Sequence, residues 1–147
     1  MNWILKKFNE LTLDELHDIF KLRIDIFVVE QNCPYPELDG MDKKAFHLLG
    51  TDNADNIIAY TRIFKPGDYY IYAAFGRVVV HQDFRNKKLG HLLIEQSINK
   101  INELFGEVPI KIGAQTYLKK FYEHHDFKQI GEGYLEDGIP HIYMLKD

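Results

Sequence analysis

Val78-Val79-Val80-His81-Gln82-Asp83-Phe84-Arg85-Asn86-Lys87-Lys88-Leu89-Gly90 is the stretch on which the fold turns. Three successive β-branched residues read as the end of a strand covered on both faces. Leu89 to Phe105, with apolar residues at 89, 92, 93, 94, 98, 101, 104 and 105, reads as a helix. His81–Lys88 between them is polar and is expected to be a loop. A buried strand, a basic loop and a helix N-terminus bring free backbone N–H groups and the positive end of a helix dipole to one point, an arrangement suited to an anion. Arg85, Lys87 and Lys88 place three cations within four residues there. In a chain of net charge -4, that concentration points to a phosphate-bearing ligand, against the plainer alternative of a solvated basic loop.

Towards the N-terminus, Tyr72–Val80 forms the strand that enters the loop, and Pro66-Gly67-Asp68 separates it from what precedes. Ala45–Gly50 and Ile57–Lys65 are β-prone runs around a polar turn and predict an antiparallel hairpin. Thr12 with Glu15 is a capping-box signature for a helix carrying Leu13, Leu16, Phe20 and Phe27. That helix should fade around Val28–Gln31, before Pro34 and Pro36, with a loop to about Asp42. Trp3–Phe8 predicts an opening strand. Towards the C-terminus, Ile110–Ala114 predicts a strand, Tyr117–His124 a short helix, and two more strands begin at Phe127 and Pro140. The class is mixed α/β, and Tyr72 to Ala114 is expected to form a right-handed parallel crossover.

The 147 residues suit one domain spanning 1–147, with 46% hydrophobic and 27% charged residues. The acidic balance argues against nucleic acid or an acidic membrane surface as a partner. Met1-Asn2-Trp3 leads to Lys6-Lys7 without the apolar region of a signal peptide, and no run approaches the ~20 residues of a membrane span, so a cytoplasmic protein is expected. Cys33 is the sole cysteine, which leaves no intramolecular disulfide and makes a metal-free fold the simplest reading. Neither G-x-x-x-x-G-K-[ST] nor G-x-G-x-x-G occurs, which argues against nucleoside triphosphate and NAD sites.

Val78–Phe84 followed by Arg85–Gly90 resembles the coenzyme A motif of the GNAT acetyltransferases, a strand followed by R/Q-x-x-G-x-G/A, with Lys88 where the first glycine is expected. Phe121-Tyr122-Glu123-His124-His125-Asp126-Phe127 is similar to the family's F-Y-x-x-x-G-F segment, with Asp126 in place of glycine. Phe27–Tyr35 with Asp39-Gly40, Gly113-Ala114-Gln115 and Glu136–His141 resemble the ElaA branch of that superfamily. These segments follow one another along nearly the whole chain.

The resemblance implies a central, mostly antiparallel sheet with one splayed parallel strand pair, flanked by helices, and transfer of the acetyl group of acetyl-coenzyme A to a primary amine. It implies that the backbone at Val78, Val79 and Val80, the segment Arg85, Asn86, Lys87, Lys88, Leu89 and Gly90, and Gln115 hold the cofactor, without a metal. By matching position Tyr122 is the candidate general acid. A phenol of pKa about 10 facing a thiolate of about 8.5 makes proton transfer uphill by roughly 2 kcal/mol, so a hydrogen bond to the leaving sulfur is the first service expected of it. For the base, Glu30 is the first choice, with His47 and His141 as alternatives. Tyr35, Asp39 and Asp137, with Glu136 and the two histidines, are candidate acceptor-site residues whose negative charge would favour a cationic small-molecule or peptide amine. Two other readings stand beside this one: a non-catalytic acyl-coenzyme A sensor, and transfer of a longer acyl chain, since Arg23–Gln31 is similar to the homoserine-lactone synthases. Monomer and homodimer both stay open, with Tyr69-Tyr70-Ile71-Tyr72 as the patch to watch.

Overall fold

A computed structural model describes residues 1–147 apart from the side chains of Asn86 and Lys87. The strands β1 (Asn2–Lys7), β2 (Phe46–Thr51), β3 (Ile57–Phe64), β4 (Ala73–Val80), β5 (Ile110–Gln115), β6 (Lys128–Glu136) and β7 (Ile139–Lys146) form one sheet in the order β1-β2-β3-β4-β5-β7-β6. Every neighbouring pair is antiparallel except β4 and β5. The helix α1 (Leu13–Ile24) packs on one face of the sheet and α2 (Leu89–Phe105) on the other, with the short α3 (Lys119–Glu123) after β5.

The triple-valine run obeys strand alternation. Val79 packs with Ile19, Leu22, Ile26, Leu49 and Tyr60 under α1, whereas Val78 and Val80 pack on the α2 side with Leu89, Leu93 and Ile94. On α2 the one polar intrusion, Ser97, is satisfied: its hydroxyl donates to Leu93 O at 2.7 Å and meets Thr61 Oγ1 at 2.9 Å.

α1 begins as its sequence predicts. Thr12 Oγ1 accepts from Glu15 N–H at 3.0 Å, and Glu15 Oε1 accepts from Thr12 N–H at 2.9 Å. Its end differs from expectation, because Asp25–Glu30 does not fade but widens into a π-helical turn, with Gln31 N–H donating to Ile26 O at 3.1 Å. Likewise His81–Lys88 is not an open loop: Gln82–Lys87 forms a 3-10 turn. Such short-range hydrogen-bonding alternatives leave little trace in apolar periodicity.

β4 and β5 pair only at Ala73↔Ile110 and Ala74↔Lys111, and then part. On its other edge β4 stays bound to β3, with a bulge that puts Gly76 opposite Arg62 and Val79 opposite Tyr60. Arg77 takes the extra position in a left-handed conformation (φ 50°). The bulge bends β4 away from β5, and the sheet opens as a wedge.

α3 closes with a left-handed turn. Phe127 N–H donates to Tyr122 O (3.2 Å), Asp126 N–H to Glu123 O (3.0 Å), and Asp126 has φ 68°. Asp126→Gly is expected to raise stability by about 0.5–1 kcal/mol, since glycine meets that conformation without a Cβ penalty. Urea unfolding of the two proteins checks this, and a lower midpoint for the glycine variant would show that the Asp126 carboxylate outweighs its backbone cost. Among the described residues no helix is long and apolar enough to cross a membrane.

Candidate active site

The wedge opens into a cleft of about 290 Å³. β4 contributes Phe75 to Val78, β5 contributes Ile112 to Gln115, and the walls come from Phe27 and Gln31 on the π turn, Tyr35 and Asp39 on the loop after it, and Asp137 and His141 on the last hairpin. Tyr122 stands in the same lining, with its ring packed against Phe121 and Phe127 at centroid distances of 5.1 and 6.0 Å. Burial pushes its phenol well above the ordinary tyrosine range, with the Tyr117 phenol acting in the same direction.

At the β4 end of the wedge lies the α2 N-terminus. Leu92 N–H reaches Lys88 O at 3.3 Å, so the N–H groups of Leu89, Gly90 and His91 precede the first intrahelical bond. Lys88 caps the helix in a left-handed conformation (φ 56°) with no side-chain capping bond, the backbone that a glycine would supply. Gly90 lies against Phe121, the neighbour of Tyr122, with an added Cβ placed 3.5 Å from the ring, so the helix N-terminus and the Tyr122 wall adjoin. The Leu89 side chain belongs to the core.

The candidate residues separate in the structure. Val78, Gln115, Tyr35, Asp39, Asp137, His141 and Tyr122 converge on the cleft, and Gln115 Nε2 donates to Gln31 Oε1 across it at 3.4 Å. Val79 is a core residue, and the Val80 carbonyl accepts from Arg85 Nε at 3.3 Å. Arg85 also pairs with Glu30 at 2.9 Å, which ties the π turn to the segment before α2; Glu30 is not part of the cleft lining. His47 is fully buried in β2, its Nε2 donating to the Asp42 carbonyl at 2.9 Å and its Nδ1 meeting the Tyr60 hydroxyl at 2.6 Å, and the cleft does not reach it. Burial also holds its imidazole below the ordinary range. Asn86 and Lys87 lie outside the described residues as far as their side chains are concerned.

His141 is placed differently. Its Nδ1 donates to the Ile139 carbonyl at 2.7 Å, which leaves Nε2 to exchange a proton, and Nε2 lies 3.4 Å from Glu136 Oε2. Tyr35 forms the opposite wall, where burial pushes its phenol up to about 12, and Arg77 lies over its ring at 5.9 Å.

What the sequence did not announce is the scaffold behind the wall formed by Tyr35 and Asp39. Arg23 from α1, Arg62 from β3 and Arg77 from β4 interlock with Glu37, Asp39 and Asp42 from the loop. Arg23 holds Glu37 (Nη2 to Oε2, 2.9 Å) and Asp42 (Nη1 to Oδ1, 2.7 Å); Arg62 grips Asp39 through two bonds of 2.9 and 2.6 Å; Arg77 bonds the Glu37 carboxylate and, at 2.9 Å, its carbonyl. Asp39, expected to offer charge to the acceptor, is therefore neutralised: burial opposes its ionisation, but Arg62 and the Met41 N–H outweigh burial and hold it far below the usual carboxylate range. Of the cleft carboxylates, Glu136 and Asp137 stand outside this arginine network. The available signal was Arg23 itself, an arginine within the apolar stripe of Ile19, Leu22 and Ile26, since an arginine there demands buried acidic partners.

Residues 26–147 match the family model described as the acetyltransferase (GNAT) domain. The chain belongs to the GNAT acetyltransferase family. As a GNAT protein it is an acyltransferase, and its sheet, with one parallel pair between helices, is the GNAT acyltransferase fold. Protein ElaA of Escherichia coli is 37% identical over 149 residues, covering 100% of this chain and 97% of that one. Among solved structures, an acyl-CoA N-acyltransferase from Pseudomonas aeruginosa superposes with a TM-score of 0.93 at 36% identity over 100% of both chains. Escherichia coli ElaA superposes with a TM-score of 0.91 at 36% identity over 99% of each.

Proposed function

We propose that residues 1–147 act as one cytoplasmic catalytic unit that transfers the acetyl group of acetyl-coenzyme A to a primary amine by direct attack. The observation that carries this reading is the wedge itself, with the uncapped α2 N-terminus at its β4 side and Tyr122 and His141 facing the same space. The residues present fit the cosubstrate: the N–H groups of Leu89, Gly90 and His91 and the Lys88 cation suit pyrophosphate, and β4 from Phe75 onward has its β5-side edge unpaired among the described residues. Bound there, acetyl-coenzyme A supplies an activated thioester.

A lysine-like amine of pKa about 10.4 must lose a proton before it can attack. His141 Nε2 is positioned to take it, and the Glu136 carboxylate stabilises the imidazolium that results. Attack forms the C–N bond and breaks the C–S bond; the new amide loses its second proton, and the thiolate takes one. Tyr122 donates a hydrogen bond to the departing sulfur. Lys88 and Asp126, the two departures from the glycine pattern, both keep glycine-like left-handed backbones, so neither removes the local chain path on which catalysis depends.

The test is calorimetric titration with acetyl-, butyryl- and octanoyl-coenzyme A, followed by thiol-release assays with a panel of primary amines. Tight acetyl-coenzyme A binding with amine-dependent thiol release is expected. Binding without release for any amine would replace this reading by an acyl-coenzyme A sensor, and a higher kcat/KM with octanoyl-coenzyme A would move the donor to longer chains.

A further inference from the structure

Beside the cleft, on the far side of Gly76, lies a narrow polar arm lined by Arg62, Tyr69, Tyr70, Gly113, Tyr134 and Glu136. Gly76, Arg77, Gly113 and Glu136 line both spaces, so the arm adjoins the wedge. Its floor is a cradle made by the missing side chain of Gly113: a Cβ there would lie 2.7 Å from the Tyr134 hydroxyl and 3.3 Å from the Tyr70 hydroxyl. The two phenol oxygens therefore lie together against one face of Gly113, in the space a side chain there would need.

Arg62 lines the same arm and is 2% exposed. Its Nη1 and Nη2 are committed to Asp39 and Asp42, but Nε is a buried donor with no partner among the described residues. Folded interiors rarely leave such a donor unmet, and a bound polar group or ordered water is one way to meet it. Lys111 adds positive charge at the back, its Nζ 4.6 Å from the Tyr70 ring and 4.3 Å from the Tyr143 ring. Against these donors the arm offers a single carboxylate, Glu136, at the end that meets His141. Burial raises the Tyr70 and Tyr134 phenols above their ordinary range, with a hydrogen bond to Tyr143 acting in the same direction on Tyr134, so both keep their protons at any working pH.

We propose that this arm binds a carboxylate of the acceptor, so that the acceptor is an amino-acid-like molecule whose amine lies at Glu136 and His141 while its carboxylate sits over Gly113 among the Tyr70, Tyr134 and Arg62 donors. The proposal rests on the acyl-transfer reading for which end of the molecule reacts, but not for whether the carboxylate binds. A carboxylate accepts up to about four hydrogen bonds, which matches a site with several converging donors and few acceptors. An alkylamine would leave the same donors without a partner, and a site built to hydrogen-bond a group discriminates strongly against analogues that lack it.

The experiment uses the full-length protein saturated with coenzyme A. The ω-amino acids from glycine to aminohexanoate are titrated by ligand-observed NMR beside the n-alkylamines of equal carbon spacing, and both series are assayed separately for acetyl transfer. At one spacing the amino acid is expected to bind about tenfold or more tightly than its alkylamine. Tyr70→Phe should narrow that preference about fivefold, as should Arg62→Lys, which keeps the charge and removes Nε. If Arg62→Lys does not fold, Tyr70→Phe decides. Equal binding of the two series at every spacing overturns the proposal, as does no detectable binding of either, or a preference undiminished in the folded variants. Carboxylate-selective binding without thiol release would sink the transfer reading and leave this site standing; efficient transfer to alkylamines without carboxylate preference would do the reverse.

Discussion

Arg23→Met is expected to cost about 3–5 kcal/mol of folding stability, the range for removing one partner of a buried ion pair. Arg23 is fully buried, and its guanidinium supplies bonds to Glu37 and Asp42, which are 3% and 5% exposed. Without it, each carboxylate keeps one arginine, Arg77 or Arg62, and loses the other. The variant also gives up guanidinium contact with the Phe20 and Tyr60 rings at 5.2 and 5.8 Å. Lys21→Met, which breaks only the exposed pair with Asp25, should leave the urea midpoint unchanged and serves as the control.

The pH dependence of stability follows from the same network. Asp42 has burial working to raise its pKa, yet the bonds from Arg23 and Arg62 prevail and its folded pKa is lowered, as is that of Asp39. A lowered folded pKa means that the unfolded chain takes up protons first as pH falls. The contribution of the network is thus complete at neutral pH, begins to erode below about pH 5, and continues to fall beneath the ordinary carboxylate value of about 3.9. Urea midpoints measured from neutral pH down to about pH 3 should decline steadily in the native protein and less steeply in Arg23→Met. Equal slopes would show that Arg23 is not what stabilises these carboxylates.

This network also marks where sequence reasoning stops. The strand at Val78–Val80, the cap at Thr12 and the helix from Leu89 to Phe105 were legible because each depends on neighbours within a few residues or on one periodic stripe. Tyr122 was singled out through the resemblance of a local F-Y segment, and the structure puts it in the cleft lining. Arg23, Glu37, Asp42, Arg62 and Arg77 depend on contacts between α1, β3, β4 and a loop, so no local pattern reports them. The same gap misdirected one expectation about place and one about charge. His47 falls on a strand face that points to the core side of the network, where Tyr60 and the Asp42 carbonyl use both its nitrogens. Asp39 does reach the cleft, but Arg62, far along the sequence and adjacent in space, has already taken up its charge. Of the Tyr69–Tyr72 patch, Tyr69 and Ile71 are exposed, while the Tyr69 ring also stacks on Phe64 at 4.9 Å and lines the inner arm with the half-buried Tyr70.

Tyr122→Phe is expected to lower kcat about 100-fold while changing stability little. The phenylalanine ring fills the space between Phe121 and Phe127, so the packing that holds the α3 turn survives and the hydroxyl of this cleft-lining residue is all that is lost. Tyr122 is 4% exposed, and burial keeps the phenol protonated far above neutral pH. A proton held that tightly is poorly given up to a thiolate of ordinary pKa about 8.5, but it remains available as a hydrogen bond throughout the reaction, and a hydrogen bond to a full negative charge is stronger than one to the neutral thioester sulfur. Its benefit therefore falls mainly on the transition state, and the variant should lose kcat with KM for acetyl-coenzyme A nearly unchanged. The pH profile separates this role from proton donation by an ordinary tyrosine. With the phenol held up by burial, kcat at saturating amine should show no alkaline fall below about pH 10 in the native protein. A native profile that drops through pH 9, or a variant that raises KM and spares kcat, would reduce Tyr122 to a packing residue and leave departure of the thiolate to some other group in the wedge.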